Sequence, residues 1–410
     1  MEKLTLDLTE FAHGGSAVGR AKRKRTVFVP GGIPGEKVRV EIHSEKNKYA
    51  YAHLVSVLQE SPERVEPKCD YFGICGGCHF QHMTYTAQLT AKQQVTVDQM
   101  MRIGNVKDAP VVLTLANPEP WAYRIEMNLS PTKNGRLGFW SPKQKEVIPI
   151  ESCPITRPEL VELLGDIDLE LDGLRKLTLR LGDDEAMLAA IEVDDVEPPE
   201  LETDFPLSVA IVLPDKTSAS LVGDNHIVQS VKGRDFRVSP GCYFAPSPAA
   251  MALVVDKVLD YAALSGQETV LDLYSGVGTL TAFLAEKAKE VIAVEVNPDA
   301  VADTAVNLSE TENVSVYEGA VEDVLSQLDV QPDVIVLNPT NQGITREATK
   351  LILEKRPSKI IYVSSDVATF ARDGRKISFE YELKEIQPID MRPQTFHIDL
   401  VAIWELQEEA

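Results

Sequence analysis

The stretch Val270–Thr281, VLDLYSGVGTLT, decides the fold of the carboxyl-terminal half of the chain. Its apolar first residues are typical of a buried strand, which ends around Asp272. Gly276 and Gly278 follow, and a helical pattern begins directly after them. Glycine allows the backbone to turn tightly and a ligand to approach it closely. The stretch therefore predicts a strand, a ligand-binding turn and a helix.

Helical and strand patterns alternate around this stretch, from about residue 246 to the end of the chain. Four apolar segments predict further buried strands, namely EVIAVEV, VSVYEG, DVIVLNP and KIIYVS. Buried strands that alternate with helices are the signature of a doubly wound parallel sheet. We therefore predict a Rossmann-like α/β domain over residues 246–410.

The glycine turn has the sequence D-x-Y-S-G-x-G and includes Tyr274. Glu295 ends the next predicted strand, where a carboxylate can accept hydrogen bonds from both hydroxyls of a ribose. The full dinucleotide fingerprint and a P-loop lysine are both missing from this turn, which favours S-adenosylmethionine, a ligand without phosphate. The alternative is a tight strand–helix turn that binds no ligand.

The first 60 residues consist of short β-rich segments separated by glycine turns, which is typical of a small closed barrel. Strand patterns dominate again from about Trp121 to Ser239, so we predict a central antiparallel β domain over residues 61–245. A helical segment at about 84–118 could pack on the carboxyl-terminal domain. We interpret the acidic run of residues 181–205 as a solvated hairpin and linker.

The chain has 410 residues, 44% of them hydrophobic, and a net charge of −22. This charge argues against nucleic-acid binding over the whole surface. Five basic residues between Arg20 and Arg25 nevertheless allow a local RNA-binding patch, or simply an exposed loop. Because no apolar run approaches the length of a membrane span and no signal pattern opens the sequence, we expect a cytoplasmic protein without a membrane segment.

Three of the five cysteines, Cys69, Cys75 and Cys78, lie within one glycine-rich loop, and Cys153 could supply a fourth thiolate. Four thiolates suit a 4Fe–4S cluster or a structural zinc ion. Zinc sites more often combine two close cysteine pairs, and only one such pair is present here. The remaining alternative is a set of free buried thiols. Cys242 is predicted to be a core residue.

These segments together resemble the S-adenosylmethionine-dependent RNA uracil-C5 methyltransferases that carry a TRAM domain and an iron–sulfur cluster. The resemblance extends over nearly the whole chain. Its main stretches are HGGSAVGR, CGGCHFQHMTYTAQLTAKQ, WAYRIEMNLS, LDLYSGVGTL, AVEVNPDAV, YVSSDVATFARD and PIDMRPQTFHIDLVAIWEL.

The resemblance implies a multidomain α+β protein, expected to be a monomer, that acts on rRNA or tRNA. It implies an OB-like TRAM barrel that binds RNA, a central β domain with the cluster, and a Rossmann-like domain that binds S-adenosylmethionine. In this family a cysteine thiolate adds to C6 of uracil, C5 accepts the methyl group, and a carboxylate removes the C5 proton. The target base is turned out of its stack to reach the site.

The chain departs from the family at its reaction centre. Ser365 occupies the position of the nucleophilic cysteine, and Asp399 occupies that of the glutamate base. Asn338 opens the segment that matches the family's D-P-P-R, and Ala245 replaces a glutamine. A hydroxyl needs a strong adjacent base to act as a nucleophile, and we find no histidine near Ser365 in the sequence.

Two main hypotheses follow from these departures. The first is an RNA methyltransferase that works by a modified route, for example on an acceptor atom that is already nucleophilic. The second is a catalytically silent relative that binds RNA as a chaperone or assembly factor, and the missing thiolate favours it for uracil-C5 chemistry specifically. A small-molecule methyltransferase is a third possibility, which the barrel and the basic run disfavour.

Overall fold

The computed structural model describes residues 2–21, 25–167, 171, 173–193 and 206–407. Residues 22–24 of the basic run and most of the acidic linker therefore lie outside the described residues. The structure describes the first part of the acidic run. This part forms the turn between two antiparallel strands, as expected for a hairpin. No helix of the described chain is long and apolar enough to cross a membrane.

Five strands form a closed amino-terminal barrel with the order β1-β2-β3-β5-β4. Alternate residues of β4, among them Val38 and Val40, are completely buried, so one side of each strand fills the barrel. The predicted barrel is thus confirmed. Its strands are β1 (Lys3–Phe11), β2 (Ala17–Arg20), β3 (Thr26–Val29), β4 (Lys37–Glu45) and β5 (Tyr49–Gln59).

A loop that carries three cysteines leads from the barrel to helix α1 (Tyr85–Gln99), which continues as a π-helical turn, Met100–Gly104. The side chain of Thr84 caps α1 by accepting a hydrogen bond from the backbone N–H of Ala87. The helix packs against elements of the carboxyl-terminal sheet. After the helix, Val111 forms a β-bridge to Ile386 and Leu115 forms one to Ile389, both in the strand at the edge of that sheet.

The central sheet has seven strands in the order β12-β11-β10-β9-β6-β7-β8. We predicted an antiparallel sheet, but β10 and β11 pair in parallel, so the sheet is mixed. Alternating apolar residues specify that a strand exists, whereas its direction depends on where the connecting chain returns. The elements are β6 (Glu126–Pro131), β7 (Leu137–Ser141), β8 (Glu146–Pro149), α2 (Pro158–Asp166), β9 (Leu174–Leu181), β10 (Met187–Val193), β11 (Ser208–Val212) and β12 (Ser218–Val222).

A short hairpin follows and packs on two helices of the carboxyl-terminal unit. The second seven-stranded sheet has the order β17-β16-β15-β18-β19-β21-β20, with the first five strands parallel. This confirms the α/β fold. The elements are β13 (Ile227–Val231), β14 (Arg234–Val238), α3 (Pro248–Ala262), β15 (Thr269–Leu273), α4 (Thr279–Ala285), β16 (Glu290–Glu295), α5 (Pro298–Asn307), β17 (Val314–Glu318), α6 (Val321–Gln327), β18 (Val334–Leu337), α7 (Arg346–Glu354), β19 (Lys359–Ser364), α8 (Val367–Ile377), β20 (Tyr381–Ile389) and β21 (Asp399–Leu406).

The strand order reverses between β15 and β18, which places a topological switch point at the carboxyl ends of these parallel strands. Ligands of doubly wound sheets bind at this position. One face of the sheet shares a continuous apolar core with α1 and the barrel, through contacts such as Phe11 with Phe80 at 5.3 Å between ring centres. The barrel is therefore fixed to the α/β sheet by a shared core.

Candidate active site

The turn after β15 holds three alternate residues in the left-handed region, with φ of 64° at Tyr274, 58° at Gly276 and 81° at Gly278. A bulky residue such as Tyr274 rarely adopts this conformation, and such strain concentrates at functional sites. A Cβ on Gly276 would meet no atom within 4 Å, so the space beside the turn is open. The turn therefore leaves room for a ligand at the carboxyl edge of the sheet.

Asp272 lies completely buried below this turn and accepts a hydrogen bond of 2.6 Å from the hydroxyl of Thr281. Burial, assisted by the nearby carboxylate of Glu295, raises the pKa of Asp272 to about 6. Its second carboxyl oxygen has no hydrogen-bond partner among the described residues. A buried oxygen without a partner fits a ligand that brings a donor or a positive charge.

Glu295 stands at the carboxyl end of the neighbouring strand β16. Its carboxylate accepts hydrogen bonds from the backbone N–H groups of Gly276 at 2.9 Å and of Val296 and Asn297 at 2.8 Å. The structure thus brings Glu295 and the glycine turn together. Val296 is 62% exposed beside it and adds an apolar surface to this position, which no motif in the sequence indicates.

Ser365 directly follows β19, at the same edge of the sheet. The neighbouring Ser364 donates a hydrogen bond to the backbone oxygen of Asp366, and Asp366 caps α8 by accepting from the N–H of Thr369 at 2.8 Å. Within the described chain, no base forms a hydrogen bond with the hydroxyl of Ser365. The imidazole of His13, from the barrel, lies 3.8 Å from Asp366 on this loop. The two residues are far apart in the sequence, so this contact could not be predicted from it.

Asn338 begins the loop after β18 and donates its backbone N–H to the backbone oxygen of Leu273 in β15 at 3.1 Å. The buried carboxylate of Asp373 on α8 holds the same loop by accepting from the N–H of Ile344 at 2.9 Å. Ala245, the other changed position, is buried in the core at 6% exposure. The loop is therefore well supported, although Asp373 was not among the predicted site residues.

Asp399 opens β21 and is almost fully buried, and the guanidinium of Arg392 binds both of its oxygens, at 2.8 and 3.0 Å. Burial raises the pKa of Asp399, while the charge of Arg392 opposes this rise. The guanidinium of Arg392 therefore fixes the orientation of this carboxylate. Sequence reasoning identified Asp399 but missed Arg392, whose role depends on this contact.

A cavity of about 370 Å³ lies beside this pair. Arg392 and His397 line it, together with Glu126 at the start of β6 and Arg124 in the segment just before this strand. Two aromatic side chains at its margin are strongly exposed, Trp140 at 55% and Tyr243 at 69%. Exposed rings beside a polar cavity can stack on a planar ligand.

The four predicted ligand cysteines are free thiols grouped between the barrel and the central sheet. Burial, and then the charge of Cys153, raise the pKa values of Cys69, Cys75 and Cys78, that of Cys78 to about 12. The sulfur of Cys153 accepts a hydrogen bond from Thr156. As they stand, the described residues contain no group of three or more ligands close enough to hold a metal ion.

Comparison with known proteins identifies the family. A TRAM domain model matches residues 2–55, and a ribosomal RNA adenine dimethylase model matches residues 251–336. An uncharacterized RNA methyltransferase of Halalkalibacterium halodurans is 30% identical over 98% of this chain and 96% of its own length. One from Bacillus cereus is 32% identical over 96% of this chain and 94% of its own length.

The chain belongs to this family of TRAM-containing RNA methyltransferases. The resemblance seen in the sequence is thereby confirmed, and the silent alternative is not favoured. The crystal structure of a Pyrococcus abyssi tRNA (uracil-54, C5)-methyltransferase with S-adenosyl-L-homocysteine has the same fold, with a TM-score of 0.74 and 22% identity over 98% of this RNA methyltransferase and 100% of that chain.

Proposed function

We propose that this RNA methyltransferase transfers a methyl group from S-adenosylmethionine to an RNA atom that already carries a nucleophilic lone pair, without a covalent enzyme–base intermediate. We also propose that it works in the cytoplasm, as a monomer, on rRNA or tRNA. The observation that carries the proposal is the set of hydrogen-bond partners of Ser365 and Asp399. Ser365 has no base on its hydroxyl within the described chain, and the carboxylate of Asp399 is bound by Arg392.

The argument against covalent uracil-C5 chemistry is one of reactivity. Carbon 5 of uracil becomes nucleophilic only after addition at C6, and this addition needs a strong nucleophile. A serine hydroxyl without a base is a far weaker nucleophile than a thiolate. A ring nitrogen, an amino group or a ribose hydroxyl needs no such addition, so only positioning and proton removal remain for the protein.

The glycine turn after β15 and the residues around it support the choice of methyl donor. Asp272, Tyr274, Gly276, Gly278, Glu295 and Asn338 would surround S-adenosylmethionine at the carboxyl edge of the sheet. The unpartnered buried oxygen of Asp272 and the open space at Gly276 both fit this cationic ligand. When bound, the ligand would supply an electrophilic methyl group. Backbone N–H groups fix the carboxylate of Glu295 at the end of β16, where it would accept hydrogen bonds from the ribose hydroxyls.

The cavity beside Arg392 is the proposed site of the target nucleotide. Its volume of about 370 Å³ suits one base that has left its stack. Trp140 and Tyr243 would cover the faces of the base, and Arg124 and Arg392 would attract its phosphate groups.

We propose a 4Fe–4S cluster at Cys69, Cys75, Cys78 and Cys153. The support is chemical: all four thiols are free, and the charge of Cys153 acts on each of the other three. Backbone N–H groups of Tyr71 and Phe72 oppose the rise in the pKa of Cys69, and that of Gly77 opposes the rise for Cys75. Backbone N–H groups of this kind stabilise cluster-bound thiolates. A cluster would fix the loop beside the cavity.

The test is methylation of bulk rRNA and tRNA with isotope-labelled S-adenosylmethionine, followed by mass spectrometry of the nucleosides. We expect a labelled nucleoside other than 5-methyluridine. Ser365→Ala is expected to retain the wild-type rate within a few fold, since the proposed route does not use this hydroxyl. RNA that contains 5-fluorouridine, which traps covalent C6 adducts, is expected to form none.

Three results would contradict the proposal. A fall of more than roughly a thousandfold in Ser365→Ala would show that the hydroxyl is the nucleophile. Labelled 5-methyluridine from the wild-type protein would show that the uracil-C5 reaction persists. Absence of label in both RNA classes would favour a silent RNA-binding protein.

A further inference from the structure

Four aromatic rings form a continuous stack on the outer surface of the barrel, away from the core that its inward side chains fill. Phe28 stacks on Tyr51 with ring centres 5.3 Å apart and planes 27° apart. Tyr51 is followed by His43 at 6.4 Å and 28°, and His43 by His53 at 4.2 Å and 22°. Tyr49 meets the first two rings edge-on. We call Phe28, Tyr51, His43 and His53 the ring ladder.

The strand register produces the ring ladder. In β3, β4 and β5 the residues between the ladder positions, such as Val27, Ile42 and Ala52, are buried inside the barrel. Alternation then directs the rings outward. Tyr49 and Tyr51 remain 37% and 41% exposed, and Val55 on the same side of β5 is 49% exposed. If these aromatic side chains only stabilised the barrel, their exposure to solvent would have no function.

Positive charge lies at both ends of the ring ladder. Lys46 and Lys48 are exposed in the turn that joins β4 to β5, and Lys37 and Arg39 are exposed farther along the outer side of β4. Glu41 lies between these ends, opposite His53. Residues 1–59 contain ten Lys or Arg and six Asp or Glu, whereas the whole chain has a net charge of −22. The basic surface is therefore concentrated on this small barrel.

We infer that the ring ladder is a stacking platform for consecutive unpaired bases of the RNA substrate, with the flanking lysines and arginine on the phosphates. This inference rests on the proposed RNA substrate and specifies which form of RNA the barrel takes. Every base has a π-face, so stacking selects unpaired over paired nucleotides without requiring a sequence. Base pairs within a helix keep their faces covered, and such RNA would meet only the flanking charges.

The chemistry of the two histidines suits this role. Partial burial, and then the neighbouring His53, lower the pKa of His43. A neutral imidazole stacks on another ring without charge repulsion, which permits the close 4.2 Å spacing of the pair.

The experiment measures binding of the full-length protein to a fluorescent twelve-nucleotide RNA without secondary structure and to a twelve-base-pair RNA duplex, without methyl donor. Tyr51→Leu and His43→Thr/His53→Thr remove rings but keep residues that favour strands. We expect the single-strand affinity to fall by roughly 5- to 100-fold in each variant, with duplex affinity unchanged. The salt dependence of single-strand binding should stay as in the wild type, because the phosphate contacts remain.

Val55→Thr is the matched control, since Val55 is exposed on the same strand but outside the ring ladder. If it weakens binding as much as the ladder variants, or if the ladder variants bind single strands like the wild type, the inference is wrong. Two independent ladder variants guard against misfolding of either one. Binding without methylation would contradict the proposed function alone, and methylation with unchanged binding by the variants would contradict the ring ladder alone.

Discussion

The ion pair between Arg392 and Asp399 is a contact at the candidate site that the sequence did not reveal. Asp399 has the charge expected of a base, yet its two oxygens are occupied by one guanidinium. The sequence placed Asp399 at the site and could not reveal its partner, because residues seven apart in a loop and a strand have no fixed geometry. The loop of Ser365 is a similar case, because the imidazole that contacts Asp366 comes from His13, more than 350 residues away in sequence.

Breaking this pair on one side should destabilise the protein. Asp399→Leu leaves Arg392 without its buried partner, and we expect a loss of about 2–3 kcal/mol in the free energy of unfolding, less than for a fully buried pair because Arg392 is partly exposed. The double variant Arg392→Met/Asp399→Leu removes both charges and should recover most of the loss. Urea denaturation measures both. Equal losses in the single and double variants would show that the ion pair itself contributes nothing.

His397 should make the protein less stable in acid. Burial, and then the nearby Arg392, lower the pKa of His397 to about 3 in the folded protein. Between pH 6.5 and about 3 the unfolded chain therefore binds one more proton at this residue, so stability falls as the pH falls. In His397→Gln the free energy of unfolding should fall less steeply as the pH is lowered from 6 to 4. The slope should differ from that of the wild type by about 1.4 kcal/mol per pH unit.

Chemical denaturation over this pH range tests the expectation. Parallel slopes for wild type and His397→Gln would contradict the role assigned to His397.

At the scale of elements, the sequence identified the strands and helices of the α/β sheet because strong apolar runs and the glycine turn left few alternatives. It was wrong about the direction of β11, which pairs in parallel with β10. It also treated α1 as an uncertain neighbour of the carboxyl-terminal sheet, whereas the structure joins them through the buried pair of Lys92 and Asp390. Both features depend on contacts between distant parts of the chain, which local patterns do not encode.

The two glycines of the cofactor turn should respond differently to alanine. Both have positive φ, which costs a residue with a Cβ about 1 kcal/mol. A Cβ on Gly278 would also lie 2.9 Å from the Thr304 side chain, so Gly278→Ala should lose roughly 2–4 kcal/mol. A Cβ on Gly276 meets only open space. Gly276→Ala should therefore stay folded but bind S-adenosylmethionine about tenfold more weakly or worse.

Thermal unfolding and calorimetric titration with S-adenosylmethionine separate the two effects. Unchanged affinity in Gly276→Ala would mean that the ligand does not occupy the space beside the turn.

Over the whole molecule, one apolar core joins the barrel, α1 and one face of the α/β sheet. The barrel loop 12–16 touches the catalytic region directly, through His13 near Asp366 and through Gly15 against Phe396 and His79. The sequence predicted the three parts but not this contact. We expect the contact to align RNA on the barrel with the cavity.

Two adjacent glycines of this loop test that alignment. Gly14 and Gly15 have similar positive φ, 90° and 81°, but only a Cβ on Gly15 would collide, at 2.9 Å from the Cβ of Phe396. Gly15→Ala should displace the loop and lower the methylation rate by about tenfold or more, with S-adenosylmethionine affinity unchanged. Gly14→Ala carries the same backbone strain and should methylate RNA nearly as the wild type does. Equal rates in the two variants would exclude a role for the loop contact.

The buried ion pair between Lys92 and Asp390 has a consequence for biosynthesis. The two residues are 298 positions apart, and translation adds about 5–20 residues per second, so Lys92 leaves the ribosome roughly 15–60 s before its partner is made. During this interval α1 has no sheet to pack on, and the cysteine loop just before it stays accessible to solvent. The growing chain therefore passes through a stage in which iron, chaperones or oxidants can reach thiols that are half-buried in the finished protein.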